Sequence, residues 1–146
     1  MKFQIIWNAF FKVKNDEKAN RLINQIEVRT GHPIVSKQFE RSKKEPSLLG
    51  VTFVSKLKDE MTMEAAVFQT LQLINLLGSA WTVNNPLITK DPEYPSEVLL
   101  SFEGFHSNPS FTGLTWVRFL LETDTKLEYG WEHSSAYGTH FVNQLE

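Results

Sequence analysis

Apolar and polar residues alternate from position 2 to position 13. Phe3, Ile5, Trp7, Ala9, Phe11 and Val13 fall on one face of an extended chain, and Gln4, Ile6, Asn8, Phe10 and Lys12 fall on the other. A period of two predicts a long strand with one face in a core. Ile6 and Phe10 imply partial cover of the second face by a neighbouring element or a partner. From Asn15 or Asp16 the period lengthens: Ala19, Leu22, Ile23 and Ile26 make a single stripe, while Lys18, Arg21, Asn24, Gln25 and Glu27 look outward. This is an amphipathic helix ending at Gly31, with Asp16 and Glu17 in its first turn and Arg29 in its last, both as the helix dipole favours. His32 and Pro33 stop it. Residues 34–42 form a weaker strand built on Val35 and Phe39, whose Lys37 and Arg41 mark it as a guarded sheet edge. Ser42–Ser47 is a turn, and Leu49, Val51, Phe53 and Leu57 give a third strand.

A second helix follows. Thr62 caps it, Glu64 sits at its positive end, and Gly78 is expected to supply the left-handed residue past its end. Between them Met63, Ala65, Ala66, Val67, Phe68, Leu71, Leu73, Ile74, Leu76 and Leu77 cover most of the circumference, with Glu64, Gln72 and Asn75 as a narrow polar stripe. Such a helix is expected to be covered on nearly all sides, as a core element against a sheet and the first helix. It is too short and too often interrupted for a membrane span, which needs about 20 apolar residues.

Trp81–Val83 begins a fourth strand that Pro86 ends. The order strand, helix, strand, strand, helix, strand predicts an α+β fold with a ferredoxin-like βαββαβ core, an antiparallel sheet with two helices on one face and the first and third strands central. Beyond it, residues 88–96 are expected to be a loop. Glu97–Phe105 and Leu114–Glu122 are expected as a C-terminal hairpin joined by His106–Gly113, which extends the same sheet or curls over its open face. An irregular tail follows from Thr123. A length of 146 residues suits a single domain, 1–87 being the core and 88–146 the hairpin and tail. The closing Leu145 and Glu146 have the look of a cloning remnant, and no reading rests on them.

With no cysteine in the chain, disulfides, zinc thiolate sites and thiol nucleophiles are excluded. The opening residues show no secretory leader pattern, and the expectation is a cytoplasmic protein. The formal net charge of −2 conceals an uneven spread: residues 1–58 carry 12 Lys and Arg against 5 Asp and Glu, and residues 59–146 carry 3 against 12. The halves are thus +7 and −9. Either the fold mixes these charges over one surface or it keeps them apart as a partner surface.

Motifs for catalysis are weak. His32, His106, His133 and His140 have no metal-binding spacing, and Ser134, Ser135, His140 and Asp124 lie near one another without a nucleophile elbow. No cofactor and no metal are expected. The basic residues Lys37, Arg41, Lys43 and Lys44 could touch phosphates, but RNA-recognition aromatics are absent and nucleic acid is disfavoured. More suggestive is the second half, which holds 12 of the 18 aromatics. Asp91, Glu93, Tyr94, Glu103, Asp124, Glu128, Tyr129, Trp131, Glu132 and Tyr137 are the candidate partner-binding residues, the rings as anchors and the carboxylates steering a basic protein. That is the physical profile of a non-catalytic binding module such as a bacterial immunity protein or antitoxin masking a basic, nuclease-like toxin. The alternative is a small enzyme or ligand-binding domain that forms a homodimer through its sheet, with Ile6, Phe10 and Val54 lining the interface and His106 or His133 as acid or base.

Overall fold

A computed structural model describes residues 1–90, 92–93 and 98–124. These form β1 (Phe3–Phe11), α1 (Asp16–Thr30), β2 (Ile34–Arg41), β3 (Leu49–Lys56), α2 (Met63–Asn75), β4 (Thr82–Val83), β5 (Leu87–Lys90), β6 (Val98–His106) and β7 (Leu114–Thr123). The fold is α+β, and among the described residues it has two helices and one antiparallel sheet of seven strands in the order β2-β3-β1-β7-β6-β4, β5 also pairing with β6.

Both helices begin where the capping residues put them. The Asn15 side chain accepts from the Lys18 amide at 2.9 Å, and Thr62 accepts from the Ala65 amide at 3.1 Å, each satisfying a donor that the first turn cannot. Gly31 closes α1 with φ of 72°, its N–H bonded to the Glu27 carbonyl. The second helix ends differently from expectation. Its left-handed residue is Ala80, with φ of 62°, not Gly78. Gly78 is instead in close contact with the loop after β6, where a β-carbon would come within 3.4 Å of the His106 ring and the Pro109 and Ser110 backbone.

One face of β1 forms the main core with α1 and α2: Phe3, Ile5, Trp7, Ala9 and Phe11 meet Ala19, Leu22, Ile23 and Ile26 from the first helix and Ala66, Leu73 and Ile74 from the second. Trp7 stacks on Phe53 at 5.7 Å, and its indole N–H donates to Ser55 Oγ at 3.0 Å. Left unpaired, such a buried donor would cost about 1–3 kcal/mol. The second face of β1 is buried as well. Ile6 clusters with Val54 and Leu120, Phe10 with Leu48 and Trp116, and Asn8 accepts from the Thr52 hydroxyl at 3.1 Å.

The strand order departs from the ferredoxin-like expectation at one position. There the strand after α2 would lie beside β1, but here β7 does, with Phe3 opposite Thr123 and Trp7 opposite Phe119. Length and burial explain the exchange. Thr82–Val83 is two exposed residues stopped shortly by Pro86, whereas β7 offers ten residues that match the whole buried length of β1. The pair β6 and β7 therefore occupies the middle of the sheet and displaces β4 to its far margin, rather than being added outside a complete core. β5 lies where a loop was expected. It continues β4 along the same side of β6, Val83 facing Gly104 and Leu87 facing Ser101, so the two are one marginal strand broken at Asn84, Asn85 and Pro86.

This order keeps the two halves of the sequence apart. β2, β3 and β1 come from the first 56 residues, and β7, β6 and the β4–β5 margin come from residues 82–123. The basic half of the chain makes one side of the sheet and the acidic half makes the other.

Candidate functional site

The acidic side of the sheet carries an apolar groove. α2 runs over the β5–β6 margin, and Met63, Glu64, Val67, Phe68 and Leu71 from the helix face Pro86, Ile88 and Leu100 across a space of about 320 Å³. Contrary to the expectation of an almost fully covered helix, α2 buries one face through Ala66, Thr70, Leu73 and Ile74 and leaves Phe68 63% exposed. The cause lies beneath it. Among the described residues the sheet ends at β5, four residues that are all exposed; Val67 and Leu71 still reach the core in part, while Phe68 projects past it. Leu87 and Ile88 are 59% and 58% exposed on the strand itself. Large side chains held open together at one margin are the kind of surface that proteins use for contact. Glu64 is part of the groove wall, exposed Asp59 and Glu60 immediately precede the helix, and exposed Glu93 follows β5.

Of the residues expected to meet a partner, the structure describes three. Glu93 is exposed. Glu103 on β6 is engaged inside the chain: it is ion-paired with Arg118 at 2.5 Å, and its other oxygen accepts from the Asn84 side chain at 3.1 Å. Asp124 is 8% exposed at the end of β7, its amide bonded to the Lys2 carbonyl and its Oδ1 without a hydrogen-bond partner among the described residues. Burial pushes its carboxyl above the ordinary range, and Lys56 and Lys2 pull against that shift. Asp91, Tyr94, Glu128, Tyr129, Trp131, Glu132 and Tyr137 lie outside the described residues. The structure thus brings together residues that the sequence reading assigned to the core: Phe68 and Val67 from α2, with Ile88 from the expected loop. A signal was present in the sequence, since a helix apolar on nearly every side needs more neighbours than two helices and a sheet supply.

The histidines hold other positions. The His106 ring bridges two loops: Ser79 offers a carbonyl, which can only accept, so the proton sits on Nε2, while Nδ1 accepts from the Asn108 amide at 3.0 Å. Trp81 meets that ring edge-on at 5.4 Å. His32 lies half-buried after α1, and burial, with Lys58 nearby, lowers its pKa. His133 and His140, with Ser134 and Ser135, fall outside the described residues, among which no three His, Asp or Glu side chains are grouped as a metal ion would need. At the opposite margin of the sheet the Arg41 guanidinium donates to the carbonyls of Val13 at 3.0 Å, Lys14 at 3.3 Å and Pro46 at 3.4 Å, which ties down the β2–β3 turn. Lys37 and Lys44 are exposed there. No described helix is long and apolar enough to cross a membrane. No protein-family model matches the chain, and comparison with curated proteins and with solved structures gives no match either.

Proposed function

We propose that this chain is a non-catalytic protein-binding module that recognises a basic protein, in the manner of a bacterial immunity protein or antitoxin that masks a nuclease-like toxin. The observation that carries the reading is the coincidence of charge and exposed apolar surface. The strand order gathers the acidic half of the sequence on one side of the sheet, and that same side holds the open groove of Phe68, Val67, Leu71 and Ile88. On that side Asp59, Glu60, Glu64 and Glu93 are exposed against Lys90, while Glu103 is paired with Arg118 and Asp124 is buried. Carboxylates speed the approach of a basic partner, and apolar anchors that lose water on contact hold it.

The test is association with the basic protein encoded beside this one, followed by stopped flow at rising salt. The association rate should fall at least tenfold between about 20 mM and 500 mM salt, where the screening length shrinks from about 20 Å to a few ångströms. Asp59→Lys together with Glu60→Lys, two exposed residues outside the helix, should slow association at low salt and leave the thermal midpoint nearly unchanged. A neighbouring product that is not basic, or a complex whose association ignores salt, would sink the reading.

The alternative of a domain that dimerises through its sheet has less to stand on. Ile6, Phe10 and Val54, which would line that interface, are 0%, 8% and 4% exposed within a single chain. An RNA-binding reading draws on the opposite margin of the sheet, where Arg41 is already spent on backbone carbonyls.

A further inference from the structure

We infer that the outer margin of β5 receives an extended segment of the partner as an added strand, one whose apolar side chains alternate with basic ones and place one apolar group in the groove beside α2. The inference rests on the reading of the acidic side as the partner surface and specifies how the partner sits on it.

The hydrogen-bonding direction of β5 follows from its neighbours. In an antiparallel ladder, successive residues of a strand turn their N–H and C=O groups alternately to one side and the other. On β6 the Leu100 N–H donates to Thr123 Oγ1 at 3.0 Å, towards β7, while the Glu103 carbonyl accepts from Asn84 on the opposite side. Leu100 therefore turns away from β5, and its cross-strand partner Ile88 turns its own N–H and C=O away from β6. Lys90, two residues further on, does the same. Among the described residues no strand lies beyond β5. An incoming strand would meet a donor and an acceptor at Ile88, the residue whose side chain also lines the groove, so main-chain pairing and side-chain seating occur at one position.

The two margins of the sheet are treated differently. β2 alternates Lys37 and Arg41 with its apolar residues, a guard against pairing with another chain. β5 is Leu-Ile-Thr-Lys, with its two large apolar side chains more than half exposed and a single charge at its end. Charge then selects the occupant. A second copy of this chain would set one acidic side against another, whereas an apolar segment carrying Lys or Arg would find Glu64 in the groove wall and Asp59, Glu60 and Glu93 close along the chain. Lys90 is the opposing charge and gives the test its discrimination.

The probes are two labelled heptapeptides of equal charge, Lys-Leu-Lys-Val-Lys-Leu-Lys and Lys-Ser-Lys-Ser-Lys-Ser-Lys, titrated into the full chain and followed by fluorescence anisotropy. The first should bind at least tenfold tighter than the second, and exchange of the Ile88 and Lys90 amides should slow on binding. Phe68→Ala removes a largely exposed ring from the groove wall and should weaken the first peptide about tenfold without affecting the second. Lys90→Pro removes an outward N–H and also a like charge. Charge alone makes that variant bind both peptides more tightly, while strand addition makes it bind the first about tenfold more weakly. Equal affinities for the two peptides, tightening of both by Lys90→Pro, or a peptide that turns helical when bound would overturn strand addition and leave recognition by the acidic side standing. Absence of salt-sensitive binding by either peptide would overturn both.

Discussion

Replacing Gly104 with alanine tests how the margin carrying the groove is held to the sheet. A β-carbon at this position would lie 2.6 Å from the Thr82 carbonyl oxygen, 2.8 Å from Phe119 Cε1 and 2.8 Å from Val83 Cγ1. Carbon atoms at van der Waals contact stand about 3.5–4.0 Å apart, so three neighbours must move by about an ångström. Val83 can rotate, being 43% exposed. Phe119 cannot swing cheaply, since Trp81 stands 5.8 Å and Phe102 5.3 Å from its ring and it is fully buried. The Thr82 oxygen belongs to the backbone, and it retreats only if β4 lifts from β6. β4 is joined there at two residue pairs, Thr82 with Phe105 and Val83 with Gly104. Overpacking of this kind costs about 1–3 kcal/mol, against which alanine recovers roughly 0.5–1 kcal/mol over glycine in a strand. The expected net loss is about 1–2 kcal/mol, or a thermal midpoint lowered by roughly 2–8 °C for a chain of this size. Thermal and urea unfolding followed by circular dichroism would measure it, and hydrogen exchange should show faster opening at Thr82 and Asn84, whose amides face β6, than at β1. A midpoint equal to or above the parent's, with unchanged exchange at β4, would refute the packing argument.

Two further predictions concern single residues. Ala80→Gly should raise stability by up to about 1 kcal/mol, because φ of 62° strains any residue with a β-carbon, and a lowered urea midpoint would count against that. His32 has a folded pKa below its ordinary value of about 6.5, so in the interval between the two the unfolded chain holds more protons than the folded one. Its contribution is intact above the ordinary value and is lost as pH falls through it towards the folded value. His32→Gln should flatten the fall in stability below about pH 6.5 relative to the parent, and identical urea midpoints against pH for the two proteins would contradict the assignment.

What the sequence disclosed depended on the range of the interaction. Asn15, Gly31 and Thr62 act within a few residues of themselves, and each caps the helix end that its type suggests. The alternation of Phe3, Ile5 and Trp7 located the face of β1 that packs on the helices by the same local logic, while the second face, expected to be only partly covered, is buried too. The neighbour of β1 was a competition between segments more than 70 residues away, and helix-strand order alone favours Trp81–Val83. The measure that decides it, ten residues of β7 against two of β4, is visible in the sequence once lengths are compared. Gly78 misled because a glycine after a helix suggests a left-handed turn, while here it permits close approach of the loop at His106. The groove was hidden for a related reason: periodicity tells which residues of α2 are apolar, but not how far the sheet extends beneath them. Charge was legible as an imbalance along the chain and became a spatial separation through the strand order.

The seam between β1 and β7 also sets a constraint on how the protein is made. β1 is the first strand of this sequence to leave a ribosome, and the partner that closes its second side reaches across to Thr123, opposite Phe3. Until that segment is synthesised, the most apolar strand in the sheet has one open edge and nothing of its own to pair with. Contacts this distant in sequence form slowly and leave the nascent chain vulnerable to association with others. The demand for protection during translation thus falls on the strand that the finished protein hides most completely.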